Sequence, residues 1–389
     1  FYLIMENLNN QIFKIMAVLM CSFSCLILAQ SDTNTEKQVR LVFNQLVSVY
    51  GSAKPHPKLE FVKKEKLPIQ PARYSPSPIP KIEIDVALYK ICQTFDKDSL
   101  NALAVVLSHE LTHYYNDHTF CSDYAFANFK SNAELQKKIG QASYNARIEK
   151  ESEADIKGFF FAAAAGFQPH GLQGLLIEKI YSTYKLADIQ KGYPSKQERI
   201  VIAKNAENTA TQLYEHFKNG LSALENKQYD VAIELFTKAN SQVPFRENWN
   251  NIGVAYARKA LALKVSSKAE IENPVRFLYP LEVENKSRLL NERTRSLDDT
   301  TEEMVELLNH AQSAFEKALQ LDPSFYKSRI NLACVYDLQG KHNSAIAEIT
   351  EKLPEEARAS KEARRLLAIA CYNADMEEKA EMIWGELKM

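Results

Sequence analysis

From about residue 206 onward, small residues, large apolar residues and prolines recur with a period of about 34 residues. One unit carries Gly220, Ala232, Phe236, Ala239 and Pro244. A second opens with Trp249, Ile252, Gly253 and Tyr256, breaks off, and finishes with Ala311, Phe315, Ala318 and Pro323. A third has Leu332, Tyr336, Gly340, Ala345 and Ile349, and a partial fourth has Leu367, Ala368, Ala380 and Trp384. Such a pattern predicts paired helices, in which small residues let two helices approach and large ones fill the gaps between them. The hairpins stack into a curved array with a concave face. Composition agrees: the 389-residue chain has 11 glycines, about 3% against a usual share of about 7%. Glycine weakens helix interiors, so helix-rich chains are poor in it.

The offsets resemble those of tetratricopeptide repeats, which implies protein partners for this half of the chain. The second unit is split by an insert, Leu263 to Thr301. It is highly charged but contains Val275-Arg-Phe-Leu-Tyr-Pro-Leu281. A partner-binding loop and a plain surface insertion are both open. Charge excludes one partner class: 48 Lys+Arg against 49 Asp+Glu leave no bulk basic excess to hold a nucleic acid backbone.

The N-terminus has the signature of an export signal. Met5 is the expected start, Lys14 follows, then an uncharged run from Ile15 to Ala29 and the polar stretch Gln30-Ser31-Asp32. That run is shorter than the roughly 20 residues a bilayer-spanning helix needs and fits a signal-peptide core. Cleavage after Ala29 is expected, with residues 1–29 as signal peptide. An uncleaved anchor, with membrane association, is the alternative, and Cys25 after Ser24 is a weak lipid-attachment signal. Cys21 and Cys25 fall in this segment. Cys92, Cys121, Cys334 and Cys371 remain, and their pairing is open between disulfides and buried free thiols.

Half of the 14 prolines lie between Pro55 and Pro80. Residues 30–80 therefore read as an N-terminal segment ending in a Pro-rich loop. Lys81 to Leu88 alternates apolar and polar and is expected to be a strand. A helix should follow over Asp96–His113, capped by Asp98 or Ser99, with Leu103, Val106, Leu107 and Leu111 as its apolar face. A second long helix is expected over about Tyr144 to Ala165, a third over Leu172 to Leu186, and a further one from Glu198.

The first of these helices contains His109-Glu110-Leu111-Thr112-His113. Positions i and i+4 share a helix face, so His109 and His113 can put two imidazoles on one metal ion. Glu110 lies beside them, where it can accept a proton from a water bound at the site. His118 reads as a structural or surface histidine. The second helix carries Glu151-Ser-Glu-Ala-Asp155-Ile-Lys-Gly158. Glu151 and Asp155 are again i and i+4. Glu151 can be the third ligand, and Asp155 can accept from a ligand histidine, His109, to fix its tautomer. Glu153 lies about 200° round the helix from Glu151 and is not expected to share the role.

These residues carry a resemblance. The run Ala104-Val-Val-Leu-Ser-His-Glu-Leu-Thr-His113 with His118, then Glu151-x-x-Ala154-Asp155-x-x-Gly158, then Ala165-Gly-Phe-Gln-Pro169, then Pro194-Ser195 and Arg199-Ile200, is similar to the CAAX-prenyl-protease/HtpX-like gluzincin metallopeptidases. It covers about residues 80 to 205. With an export signal and a repeat tail, the layout resembles that of periplasmic proteases of this family that act in β-barrel assembly. The family has a histidine before the late Pro-Ser, where this chain has Tyr193. In similar enzymes that histidine can lie over the zinc and hold the enzyme latent. A phenol can fill that place as a weak ligand or oxyanion donor, or be an ordinary loop residue. By the same resemblance Arg199 helps bind substrate or stabilise the site, against a plain surface salt bridge. The resemblance also implies that the Lys81–Leu88 strand lies at the cleft edge, where an extended substrate can pair with it, though the family's usual sequence before that strand is replaced here by prolines, which leaves substrate preference open.

The expected fold is mainly α. A zincin-type α+β metallopeptidase domain (81–205, helices plus a small sheet) precedes an α-helical tetratricopeptide solenoid (206–389, insert about 263–301). The implied function is an exported, periplasmic or envelope-associated zinc endopeptidase with one Zn2+ per chain. It would clear misassembled envelope proteins, with the repeats recruiting partners. The alternative is a latent or chaperone-like scaffold with little proteolysis.

Overall fold

A computed structural model describes residues 35–62, 71–76, 78–118, 133–189, 194–264, 266–284 and 302–388, the side chains of 133–144 and 147 aside. The expected signal segment 1–29 with Cys21 and Cys25, and also Cys121 and Tyr193, lie outside these residues. The chain divides into two compact units. The first takes its residues from Phe1–Leu46, Pro57–Ala154 and Phe167–Ala203, the second from Val47–His56, Asp155–Gly166 and Lys204–Met389. The fold is mainly helical, with one three-stranded sheet. No helix among the described residues is long and apolar enough to cross a membrane.

In the first unit, a helix over residues 35–50 buries Val39, Val42, Phe43 and Leu46 at helical spacing. The sheet has the order β1-β3-β2. Strand β1 (Lys58–Val62) runs parallel to β3 (Lys81–Asp85), and β2 (Ala72–Ser75) runs antiparallel to it. Two expectations are corrected here. The strand stops at Asp85 rather than Leu88, because the Asp85 carboxylate accepts from the Ala87 N–H at 2.9 Å and caps a helix, Val86–Gln93. It is also the central strand, paired on both sides, and β1 and β2 are the two edges of the sheet. Ile82 and Ile84 are fully buried, as a strand paired on both sides requires. The prolines after Ser75 keep β2 short, since proline cannot donate to a ladder. Glu83 is buried as well, and Arg73, its cross-strand partner, and Lys81 (3.0 Å) both pair with it.

A 3-10 turn, Asp96–Asp98, leads into the helix Ser99–Tyr115. The expected side-chain cap at its start is not made. The Asp98 carboxylate instead accepts from Asn101 Nδ2 at 3.0 Å. Leu103, Leu107 and Leu111 are fully buried, while Val106 is only partly so and Val105 takes an inward place. This helix packs against β2, β3, Val86–Gln93 and the helix Leu172–Tyr184, so it is enclosed on most sides. The next long helix, Ala133–Ala164, begins well before Tyr144 and contributes residues to both units, as does Lys196–Glu225.

The second unit is built of helix pairs. Lys196–Glu225 is followed by Tyr229–Ala239; Arg246–Ala262 packs against Glu302–Leu321 across the insert; Tyr326–Leu338 against His342–Thr350; and Lys361–Asn373 against Glu377–Glu386. Gly220 and Gly253 explain how closely the helices meet. A Cβ on Gly220 would lie 2.7 Å from the Phe236 ring, and one on Gly253 2.6 Å from the Phe315 ring. Each ring sits in the notch that its glycine leaves. The sequence did not disclose that two earlier stretches join this core. Phe160 packs on Phe245 (ring centroids 4.8 Å apart) and Tyr50 on Phe161 (4.3 Å). Cys334 and Cys371 are buried free thiols. So is Cys92 in the first unit, where burial pushes the thiol pKa up to about 12.

Gly253→Ala should therefore overpack the split pair. It is expected to destabilise the full chain by about 1–3 kcal/mol, read as a lower denaturation midpoint at an unchanged slope.

Candidate metal centre

Helix geometry brings three donors together in the first unit. His109 and His113, one turn apart on Ser99–Tyr115, point their Nε2 atoms to within 3.0 Å of each other. Glu151, from the helix Ala133–Ala164, places Oε2 3.5 Å from His109 Nε2 and Oε1 3.5 Å from His113 Nε2. Among the described residues this is the one group of three potential ligands whose donor atoms all lie within 4.8 Å of one another. Tetrahedral bonds of about 2.0–2.1 Å to zinc place neighbouring donors about 3.3 Å apart. Two imidazoles and a carboxylate at these separations fit a divalent transition ion such as zinc, and leave a fourth position for water or substrate.

The surroundings favour the deprotonated, ligand-ready forms. Burial alone would raise the Glu151 carboxyl, but the Arg199 guanidinium and the two imidazoles outweigh it and hold it below the usual carboxylate range. Arg199 Nη1 lies 2.8 Å from Glu151 Oε2 with only 16% of its side chain exposed. It is an enclosed partner of the candidate ligand, not a surface salt bridge. Burial, and next the neighbouring His109, push the His113 imidazole pKa down to about 3.

Behind the donors stands a relay that the sequence reading passed over. His113 Nδ1 lies 2.7 Å from His118 Nδ1, and His118 Nε2 lies 3.3 Å from Glu153 Oε2. Glu153 also accepts from Asn116 Nδ2 at 2.9 Å. If His113 binds through Nε2, its proton sits on Nδ1 and points at His118, which can then donate from Nε2 to Glu153. That order fixes one tautomer along the line. Glu153 does lie on a different side of its helix from Glu151. It serves a histidine past the end of Ser99–Tyr115, not the ligand pair. The available signal was a third histidine just beyond the motif and a second carboxylate two residues after Glu151. Asp155 is buried one turn beyond Glu151 on the same helix, in residues assigned to the second unit.

Glu110 follows His109 directly on the same helix. Its Oε2 accepts from the main-chain N–H of Tyr74 at 2.8 Å. Tyr74 belongs to β2, so the sheet edge and the carboxylate that flanks the donors meet directly.

The comparisons with known proteins bear on the other unit. Residues 314–347 match the tetratricopeptide repeat family. The matched stretch covers the end of Glu302–Leu321, all of Tyr326–Leu338 and the start of His342–Thr350. Repeats of this kind are protein-interaction modules. The chain has no match among curated proteins.

The depressed His113 pKa gives a sign for acid stability. Unfolded, this imidazole takes its proton near the ordinary value of 6.5; folded and metal-free, only near about 3. Between those values the unfolded chain binds more protons, so stability falls as pH drops through that window. Melting of the metal-free protein should shift downward from pH 6.5 to 4, and His113→Gln should flatten that slope.

Proposed function

We propose that the first unit is a zinc-dependent endopeptidase and that the helical repeats bring it protein partners. The convergence of His109, His113 and Glu151 with Glu110 at their side carries this reading. It agrees with the resemblance to the gluzincin metallopeptidases. A bound zinc would supply Lewis-acid polarisation of water and of the scissile carbonyl. The chain's own residues do the rest. Glu110 accepts the proton of the attacking water and passes it to the leaving amine. Arg199 keeps Glu151 ionised and oriented, and His118 with Glu153 holds His113 in one tautomer. Strand β2 offers an edge beside Glu110 to which an extended substrate can add as a further strand. In the described arrangement Arg199 is engaged by Glu151. Arg199, which has further N–H donors, and Tyr193 are the candidates for an oxyanion or latency role. On this reading the protein is exported after loss of residues 1–29, and misassembled envelope proteins are its substrates. Sequencing the mature N-terminus by mass spectrometry separates export from an uncleaved anchor.

The repeat match favours a second reading, a protein-binding scaffold with little proteolysis. Metal content together with casein cleavage separates the two. The full chain should bind one zinc. Glu110→Gln should keep that zinc and lose about 10²–10⁴-fold in cleavage rate. Zinc without cleavage in the wild type supports the scaffold, and no zinc at all defeats the enzyme.

The relay makes a separate claim. His118→Ala should weaken zinc binding by about 10–100-fold, measured by competition with a chromophoric chelator, while the fold stays intact by circular dichroism.

A further inference from the structure

The insert is partly seated in the repeat unit, and how it is seated is informative. Residues Phe277, Tyr279 and Leu281 are buried while Leu278 and Pro280 between them are less so. That alternation runs through an irregular stretch, in which the Arg276 N–H donates to the Asn273 carbonyl and the Leu281 N–H to the Tyr279 carbonyl, both at 3.0 Å. Val275, just before, is 58% exposed. The segment crosses the first helices of three successive pairs. Phe277 lies between Tyr372 (5.0 Å) and Trp384 (5.4 Å) of the last pair. The Tyr279 hydroxyl donates to Asp337 Oδ2 at 2.7 Å in the third pair.

Beyond Leu281 the contacts change character and go to the main chain. Asn331 accepts from the Glu282 N–H (2.9 Å) and donates to the Glu282 carbonyl (2.8 Å). Asn250 donates to the same carbonyl at 2.9 Å. Asn251 accepts from the Glu284 N–H and donates to the Glu284 carbonyl, both at 2.8 Å. Arg258 Nη2 donates to the Leu281 carbonyl at 3.2 Å. Lys327 pairs with Glu284 at 3.1 Å and lies 3.9 Å from Glu282.

Three fully buried asparagines on two helices thus bond the backbone of a loop at alternate residues, while the Asn250 Oδ1 accepts from Asn331 Nδ2 (2.9 Å) and Ser328 Oγ (2.8 Å) beneath it. Unpaired buried amides are costly, so this face has a polar requirement that packing alone does not meet. Water could meet it if the segment left. Recognition through main-chain atoms is also indifferent to which chain supplies them. What the side chains add is a pattern: apolar residues two apart, then two acidic residues two apart facing Lys327.

We propose that the segment Asn273–Glu284 is a tethered ligand of the repeat array. It occupies a site for a peptide that presents apolar residues two apart through a tight turn, followed by acidic ones, and a partner segment of that chemistry binds by displacing it. A tethered segment has an effective concentration of order mM. The closed site therefore weakens a partner's apparent affinity by the fraction of chains that are open.

Two measurements test this, and neither involves the metal. In the wild-type full chain, hydrogen exchange reports whether the segment detaches on its own. The amides of Glu282 and Glu284 should exchange at least about tenfold faster than those of Leu332 and Ala333 in the helix beneath. If they exchange only with global unfolding, the segment is a fixed part of the core and the proposal fails. A labelled synthetic peptide covering 273–284 should bind the full-length triple variant Phe277→Ser/Tyr279→Ser/Leu281→Ser at least about tenfold tighter than the wild type. Adding Asn331→Ala should remove most of that gain. A triple variant with wild-type circular dichroism that binds the peptide no better than the wild type overturns the proposal.

Discussion

A carboxylate removed from water has to be compensated, and the first unit is arranged around one. Glu151 sits among two imidazoles and a guanidinium, with Arg199 closest. An unpaired charge in such a place would be strongly destabilising. The compensation draws on Ser99–Tyr115 for the histidines, Ala133–Ala164 for the glutamate and Lys196–Glu225 for the arginine. The register of these helices is thereby tied to one oxygen pair. Burial, and next the neighbouring His109, keep His113 neutral beside it.

The two units share a way of satisfying polar groups. In the first, the Tyr74 N–H serves the Glu110 carboxylate. In the second, Asn250, Asn251 and Asn331 serve the backbone of Glu282 and Glu284. In both, main chain from an irregular or short element meets a side chain rooted in a buried helix. Rigid elements supply the side chains, and the partner is the part of the chain that is cheaper to rearrange.

The helices and the histidine pair were legible because their signals are local, and Glu151 followed from a second i, i+4 carboxylate pair with Asp155 and from the family resemblance. His109 and His113 are one turn apart, and the repeat offsets recur along a single stretch of chain. The sheet was not. Strands β1 and β2 are five and four residues long, lie among prolines, and exist by pairing with β3. Nothing in Ala72–Ser75 alone marks it as an edge beside Glu110. The His118–Glu153 link is invisible for a related reason: it joins positions 35 apart that meet because two helices cross there. The contribution of Phe159–Phe161 to the repeat core was hidden by continuity, since the helix that carries Glu151 runs on without a break.

The glycine notches have a consequence for how this array can diversify. Phe236 against Gly220 and Phe315 against Gly253 set the axial position of each helix pair by shape, at a point remote from the connection. The first pair is joined through Asn226–Gln228, the second through the long stretch 263–301. Closing the longer connection costs only about 2 kcal/mol more in chain entropy. Alignment and linkage are thus separate variables. A notch that holds the helices in phase leaves the connector free to acquire sequence, length and eventually a purpose of its own.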